Sequence, residues 1–283
     1  MPARKPPTER QRRLGAELRK MREHVGLSIN DAAVMHRTDR TTVSNTESAR
    51  SGVSSDRVRV WAANYSCPDG EYIDALAAMA RERGTHWWDG YRGAVVAGGL
   101  DLAEMEHFAH ALRSVQITHM PGLLQHEDYA RAVFGEAVPP ADPRSLDLRL
   151  DYRMKRRGIL DREQPPTCTF LIHEAALRMQ FGGPAVARKQ LDHLLAQSDR
   201  ENVEIRVLPF SVGGFPSAGS STTYCSGPVP QLDTVQTDTA LGSAFLHSET
   251  HLVNYRRVLD RTEQLSLAPE PSRDFIHDVA RQG

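Results

Sequence analysis

Residues 28–48 leave room for only two short helices and a tight turn, and that brevity limits the folds open to the first part of the chain. Ser28, followed three positions on by Asp31, is a capping-box start, and Ile29, Ala32, Ala33 and His36 then share one stripe. Asp39 is a good N-cap for the next helix, from Arg40 to about Ser48, whose inward residue is Val43. Helices this short are marginal alone in water, so neighbours must hold them. The sequence supplies those neighbours. Leu14, Leu18, Met21 and Val25 recur at helical spacing before Gly26, a natural stop. Val58, Trp61, Ala62 and Tyr65 follow a start at Ser55 or Asp56, and Ile73, Leu76, Ala77 and Ala80 align after Pro68-Asp69-Gly70. The spacing predicts an all-α bundle over residues 9–84.

Charge separates the first 60 residues from the rest of the chain. Residues 1–60 hold 13 Lys and Arg against 7 Asp and Glu, a local charge of +6. The 283-residue chain has 35 basic and 36 acidic groups, which leaves 22 against 29, or −7, for residues 61–283. A compact basic head on an acidic body suits a polyanionic partner. Two short helices joined by a tight turn are the shape of a helix-turn-helix, whose second helix enters the major groove of double-stranded DNA. Its exposed N-terminal residues would read bases: Arg40, Thr41 and Thr42, then Ser44 and Asn45 one turn on. Arg can pair bidentately with guanine and Asn with adenine, while a Thr methyl can touch thymine. Arg12, Arg13, Arg19, Ser28, Arg37 and Arg50 are placed as phosphate contacts. The plainer alternative is a solvated polar face on a structural bundle.

Beyond an aromatic junction at residues 85–99, with Trp87, Trp88 and Tyr91, the pattern changes. Helices are predicted near 101–115, 125–135, 145–160, 174–181 and 184–197, and again at 252–265 and 273–281. Strand-like runs fall at 167–173, 203–208, 221–225, 232–237 and 241–246. The expected fold is therefore multidomain: an all-α N-terminal helix-turn-helix bundle plus a C-terminal mixed α/β domain over 100–283.

Residues 14–50, from Leu14-Gly15-Ala16-Glu17-Leu18 through Gly26-Leu27-Ser28 to Thr42-Val43-Ser44-Asn45-Thr46-Glu47, resemble the Xre/Cro/CI helix-turn-helix family. The resemblance implies that Ala33 lets two helices cross closely and that Glu47 closes the recognition helix. The chain departs from that pattern at Ile29, where a phosphate-contacting Gln is usual, at Arg37, the turn Gly, and at His36, a core Leu. The Arg37 position is expected at positive φ, which Arg adopts at some cost. Met120-Pro121-Gly122-Leu123-Leu124-Gln125, His173-Glu174-Ala175-Ala176-Leu177 and Val207-Leu208-Pro209-Phe210 resemble the C-terminal domain of actinobacterial WhiJ-like regulators. That resemblance covers about residues 87–280. It implies a transcription regulator, often encoded beside a small partner protein, and supplies no ligand.

Several other classes are disfavoured. The longest uncharged run, 207–232, is broken by Pro209, Pro216, Pro228 and Pro230, so no membrane span is expected. The basic N-terminus is followed by more charge, unlike a secretory signal, and a cytoplasmic protein is expected. Cys67, Cys168 and Cys225 are an odd number, far apart, and read as reduced thiols. The chain has 31 Arg and only 4 Lys, with none after Lys189, so a self-cleaving Ser–Lys dyad at Ala218-Gly219 lacks its base. Glu104, His107 and His110, and His247, Glu249 and His251, lie close in sequence without a zincin spacing. Gly213-Gly214-Phe215-Pro216-Ser217-Ala218-Gly219 matches no phosphate-binding loop and reads as a loop between strands. Glu174 is read as a helix cap, with a pocket-facing role as the alternative. No catalytic residue, metal or cofactor is assigned. The expectation is a non-enzymatic, homodimeric DNA-binding regulator whose C-terminal domain senses a small-molecule effector or a small protein partner. Two alternatives stay open: an antitoxin-like protein that binds its partner and represses its own promoter, and an enzyme tethered to DNA.

Overall fold

The computed structural model describes residues 6–82, 84–95, 97–239 and 242–282. The basic leader through Lys5 lies outside them. The chain divides after His86 into two compact units, and each is described separately.

The first unit is all helical: α1 Glu9–His24, α2 Ile29–Met35, α3 Arg40–Glu47, α4 Ser55–Asn64 and α5 Gly70–Arg81. Side-chain caps start each helix. Thr8 and Ser28 form capping boxes with Gln11 and Asp31, and Asp39, Ser54 and Asp69 cap the other three. Leu18, Ala32, Val43, Val58, Trp61 and Leu76 fill the core. Val25 departs from the predicted stripe: it is the C-cap of α1 and is exposed, because Gly26 at φ 71° turns the chain away. Arg37 sits at φ 52°, the left-handed conformation expected where a Gly is usual.

The second unit is a mixed α/β domain. Its six strands are β1 Ala111–Gln116, β2 Thr167–His173, β3 Val203–Leu208, β4 Thr222–Ser226, β5 Thr234–Thr239 and β6 Gly242–Leu246. They form one sheet in the order β3-β2-β1-β4-β5-β6. β1, β2 and β3 run parallel, whereas β4, β5 and β6 continue from β1 in antiparallel pairs. The helices are α6 Ala97–Phe108, α7 Glu127–Gly135, α8 Pro143–Arg156, α9 Glu174–Arg178, α10 Pro184–Gln197, α11 Glu249–Leu265 and α12 Pro269–Gln282.

On one face of the sheet Leu112, Phe170, Ile172, Ile205 and Val207 join Leu191, Leu194 and Ile276 from the helices. On the other, Val115, Leu171, Tyr224 and Val235 meet Leu252 and Leu259 of α11. Arg113 clamps α11 to that face through Asp260 at 2.8 Å and Glu263 at 2.7 Å. The main correction falls on the helix expected over 101–115. It ends at Phe108, and Ala111–Gln116 is a central strand hydrogen-bonded on both sides. Its side chains alternate between the two faces, a period-2 signal hidden by the helical run before it. The helix expected over 174–181 stops at Arg178, where Met179 turns extended. The aromatic segment joins the second unit: Trp88 and Tyr91 bury against Leu100, Ala103 and Tyr152.

Candidate nucleic-acid interface

The face of α3 divides as its helical period requires. Val43, Thr46 and Glu47 point inward and are buried, whereas Arg40 and Thr41 are exposed and Ser44 and Asn45 half-buried on the outer side. These four therefore share one outward face near the start of the second helix. Thr42 is spoken for on its polar side: its amide and its hydroxyl both donate to Asp39, at 2.7 Å each. That pair of hydrogen bonds holds the Asp39 carboxyl below its usual range.

Arg12, Arg19, Ser28, Arg37 and Arg50 are all exposed. Arg12 pairs with Glu9 and Arg19 with Glu23, each at 2.7 Å. Exposed pairs of this kind contribute little and exchange readily for another anion. Arg13 does not fit its expected role. Its side chain is buried and paired with Glu17, four residues on, at 2.6 Å, and Glu17 in turn accepts from the buried Tyr72 hydroxyl. Helical periodicity turns position 13 toward α5, so this guanidinium supports the bundle instead of meeting a phosphate.

Two features that hold α3 against α1 lie outside the expected site residues. Arg22 of α1 grips Glu47 through Nε at 2.7 Å and Nη2 at 2.9 Å, and its Nη1 donates to the Leu27 carbonyl at 2.6 Å. Donating to the Glu47 carboxylate raises the Arg22 pKa. The resemblance pointed to Glu47 alone, and the buried Arg on the other helix is its missing half. Gly15 is the second feature. A Cβ there would stand 2.5 Å from the Glu47 carbonyl oxygen and 2.8 Å from that of Thr46. An isolated Gly inside a strong helix was the available signal.

His36, in place of a core Leu, stacks on Trp61 at 4.4 Å between ring centroids. Its Nδ1 lies 3.0 Å from the Asn64 amide nitrogen and its Nε2 2.8 Å from the Tyr65 hydroxyl. The amide must donate to Nδ1, which assigns the proton to Nε2 and a neutral ring. Burial, and then the charge of Arg57, push the His36 pKa down to about 4. The unfolded chain therefore binds this proton more readily than the folded one. Stability from the group is complete above its ordinary value near 6.5 and drains away as pH falls toward 4. With the ring partly wetted, a loss of about 2 kcal/mol is expected across that window. Unfolding measured from pH 7 to pH 4 should show this slope in the wild type and not in His36→Leu. Equal slopes in both would contradict it.

In the second unit Glu174 starts α9 and accepts from the Phe210 amide at 2.8 Å and from Arg178 at 2.6 Å, tying the segment after β3 to that helix. Asp233 accepts from the Tyr224 hydroxyl at 2.6 Å and the Gly227 amide at 2.9 Å, closing the β4–β5 connection. Cys67, Cys168 and Cys225 are free thiols, and burial pushes the Cys168 thiol up to about 12. His107 packs edge-on against Trp88 and Phe108. Among the described residues no group of three His, Cys, Asp or Glu side chains is arranged to hold a metal ion, and no helix is long and apolar enough to cross a membrane.

A capped two-helix unit with a polar outward face, set in a small helical bundle, defines a helix-turn-helix DNA-binding regulator, and residues 13–76 match a helix-turn-helix domain. Residues 100–278 match the family described as a domain of unknown function (DUF5753), and the chain belongs to that family. No curated protein and no solved structure matches the chain.

Proposed function

We propose that this chain is a cytoplasmic transcriptional regulator of the actinobacterial WhiJ-like kind. On this reading it is an Xre-type protein that binds operator DNA as a homodimer, at two half-sites about one helical turn apart. The C-terminal domain is the sensing unit: a small molecule or a small protein partner binds it and shifts occupancy of the operator. Such an effector acts only through a preference for one of two states. The protein works by binding and not by turnover.

The observation that carries the reading is the outward face of α3, where Arg40, Thr41, Ser44 and Asn45 stand opposite a buried Val43–Glu47 side anchored to α1. That anchoring holds the helix rigid enough for base-edge geometry to discriminate. Arg40→Ala is expected to cost about 1–3 kcal/mol of operator binding and to relax sequence choice, whereas Arg50→Ala weakens all sequences alike and reduces the salt dependence. Arg13→Ala does not test a phosphate contact, because it removes a buried ion pair. Quantitative gel retardation on a panel of operator variants decides the matter. Uniform losses from both Arg40→Ala and Arg50→Ala would remove the base-reading assignment. Turnover by the full chain in a hydrolase and transferase screen would overturn the non-enzymatic reading.

A further inference from the structure

Between the sheet and helices α6 and α8 lies a cavity of about 420 Å³. Small-molecule sites commonly fall in the range of about 300–1,000 Å³. The cavity reaches past the carboxyl end of β1, the strand at which the sheet changes from parallel to antiparallel pairing. Ser114, Thr223 and Gln236 give it a polar floor, and Leu102, Val133 and Phe134 an apolar side.

Five charged groups line it: Arg149, Arg153, Arg156, Glu106 and Asp238. Arg156 is buried and neutralised, its Nε donating to Glu106 at 2.8 Å and its Nη2 to the other carboxylate oxygen at 2.5 Å. Asp238, at the exposed rim, accepts from the Gln236 amide at 2.8 Å. Arg149 donates from Nε to the Ala94 carbonyl at 3.2 Å. Arg153 stands apart. Its Nη1 donates to the uncharged Gln125 Oε1 at 2.6 Å, its guanidinium lies over the Phe134 ring at 4.8 Å, and its buried Nε has no hydrogen-bond partner. No carboxylate among the described residues comes within ion-pair distance of it. Desolvation, and then the neighbouring Arg156, lower its pKa to about 10, which leaves it charged at neutral pH.

A desolvated cation without a counter-ion is costly, and such groups persist where a ligand completes them. The segment Met120-Pro121-Gly122-Leu123-Leu124-Gln125 seats this one. Buried Gln125 is fixed by its own amide on the Met120 carbonyl at 2.8 Å. A Cβ at Gly122 would stand 3.1 Å from Arg153 Nη1 and 3.6 Å from Arg156 Nη1. The glycine thus leaves room for two guanidinium groups beneath the loop.

We propose that the cavity binds a small organic anion, a carboxylate or a phosphomonoester, whose oxyanion pairs with Arg153. Its apolar body lies against Phe134 and Val133, and a hydroxyl or amine meets Asp238. The proposal rests on the reading of this domain as the sensing unit and gives that unit its ligand class.

The test is thermal unfolding of the full chain in phosphate-free buffer, with benzoate, citrate and phenyl phosphate against the neutral benzamide and benzyl alcohol. The expected result is a saturable rise in Tm with at least one anion and none with the neutral compounds. Carboxylate and phosphomonoester responses, compared directly, identify the preferred oxyanion. In Arg153→Gln the anion response disappears, while the unliganded Tm stays at or above wild type because the unpaired charge is gone. Gly122→Ala, which crowds the guanidinium, weakens the response. The proposal is overturned if neutral compounds act as well as the anions, if the response survives in Arg153→Gln, or if no anion acts at millimolar concentration. Gel retardation of a duplex selected by the protein from a random pool runs alongside. An anion that binds without changing retardation removes the sensing role and leaves the cavity site standing. Normal retardation with no anion response removes the cavity site and leaves DNA binding standing.

Discussion

Replacing Glu47 by Ala is expected to lower the stability of the N-terminal unit by about 3–5 kcal/mol, because it takes from the Arg22 guanidinium its buried counter-ion and leaves only the exposed Glu23 at 3.5 Å. Both side chains are buried, at 6% and 5% exposure, and the bond between them is bidentate. The Coulombic gain of such a pair is largely offset by desolvation, so the loss comes chiefly from the partner left behind. A double variant, Arg22→Met with Glu47→Leu, should therefore recover most of the stability that Glu47→Ala loses. Urea unfolding followed by tryptophan fluorescence, with Trp61 buried in this unit, reads both effects. A Glu47→Ala loss below about 1 kcal/mol would show that water reaches Arg22 and that the pair holds nothing together.

Gly15→Ala should be about as damaging for a steric reason. The added carbon would have to sit 2.5 Å from one backbone oxygen of α3 and 2.8 Å from another. Neither neighbour is a flexible side-chain tip, so the helices must move apart. Overpacking of this kind costs about 1–3 kcal/mol and more where backbone cannot yield. Because α3 carries the outward face that meets DNA, operator affinity should fall with stability. Gly52→Ala is the control: beyond its two chain neighbours no atom lies within 4 Å of the place its Cβ would take, and Tm should stay unchanged. Equal Tm values for the two variants would mean that α1 and α3 have slack the geometry does not show.

Much of the first unit was legible because local signals there are strong and agree. Caps at Ser28 and Asp39 accept backbone hydrogen bonds as predicted, and the stripes through Leu18, Val43 and Leu76 are the core. Arg37 took the positive φ expected from its place in the turn. The second unit was read less completely. Strands β2 and β3 stand where their β-branched and aromatic runs predicted them, yet β1 was hidden at the end of a helical pattern. A six-residue central strand with Arg113 and Ser114 in it has no unbroken apolar run to announce it.

Sequence by itself determined which segments of the first unit become helices, the polar character of α3, and the division into a basic head and an acidic body, since these follow from neighbours in the chain. Whether a charge is exposed or buried was decided only by the tertiary structure. Arg13, Arg22 and Arg153 are the same residue type in similar helical runs, yet one is paired within its own helix, one grips a distant Glu47, and one faces a cavity with its Nε unbonded. The physical reason is that the free energy of a guanidinium depends on its counter-ion and on the water around it. For Arg22 and Arg153 both are set by residues tens of positions away that only the folded chain brings together.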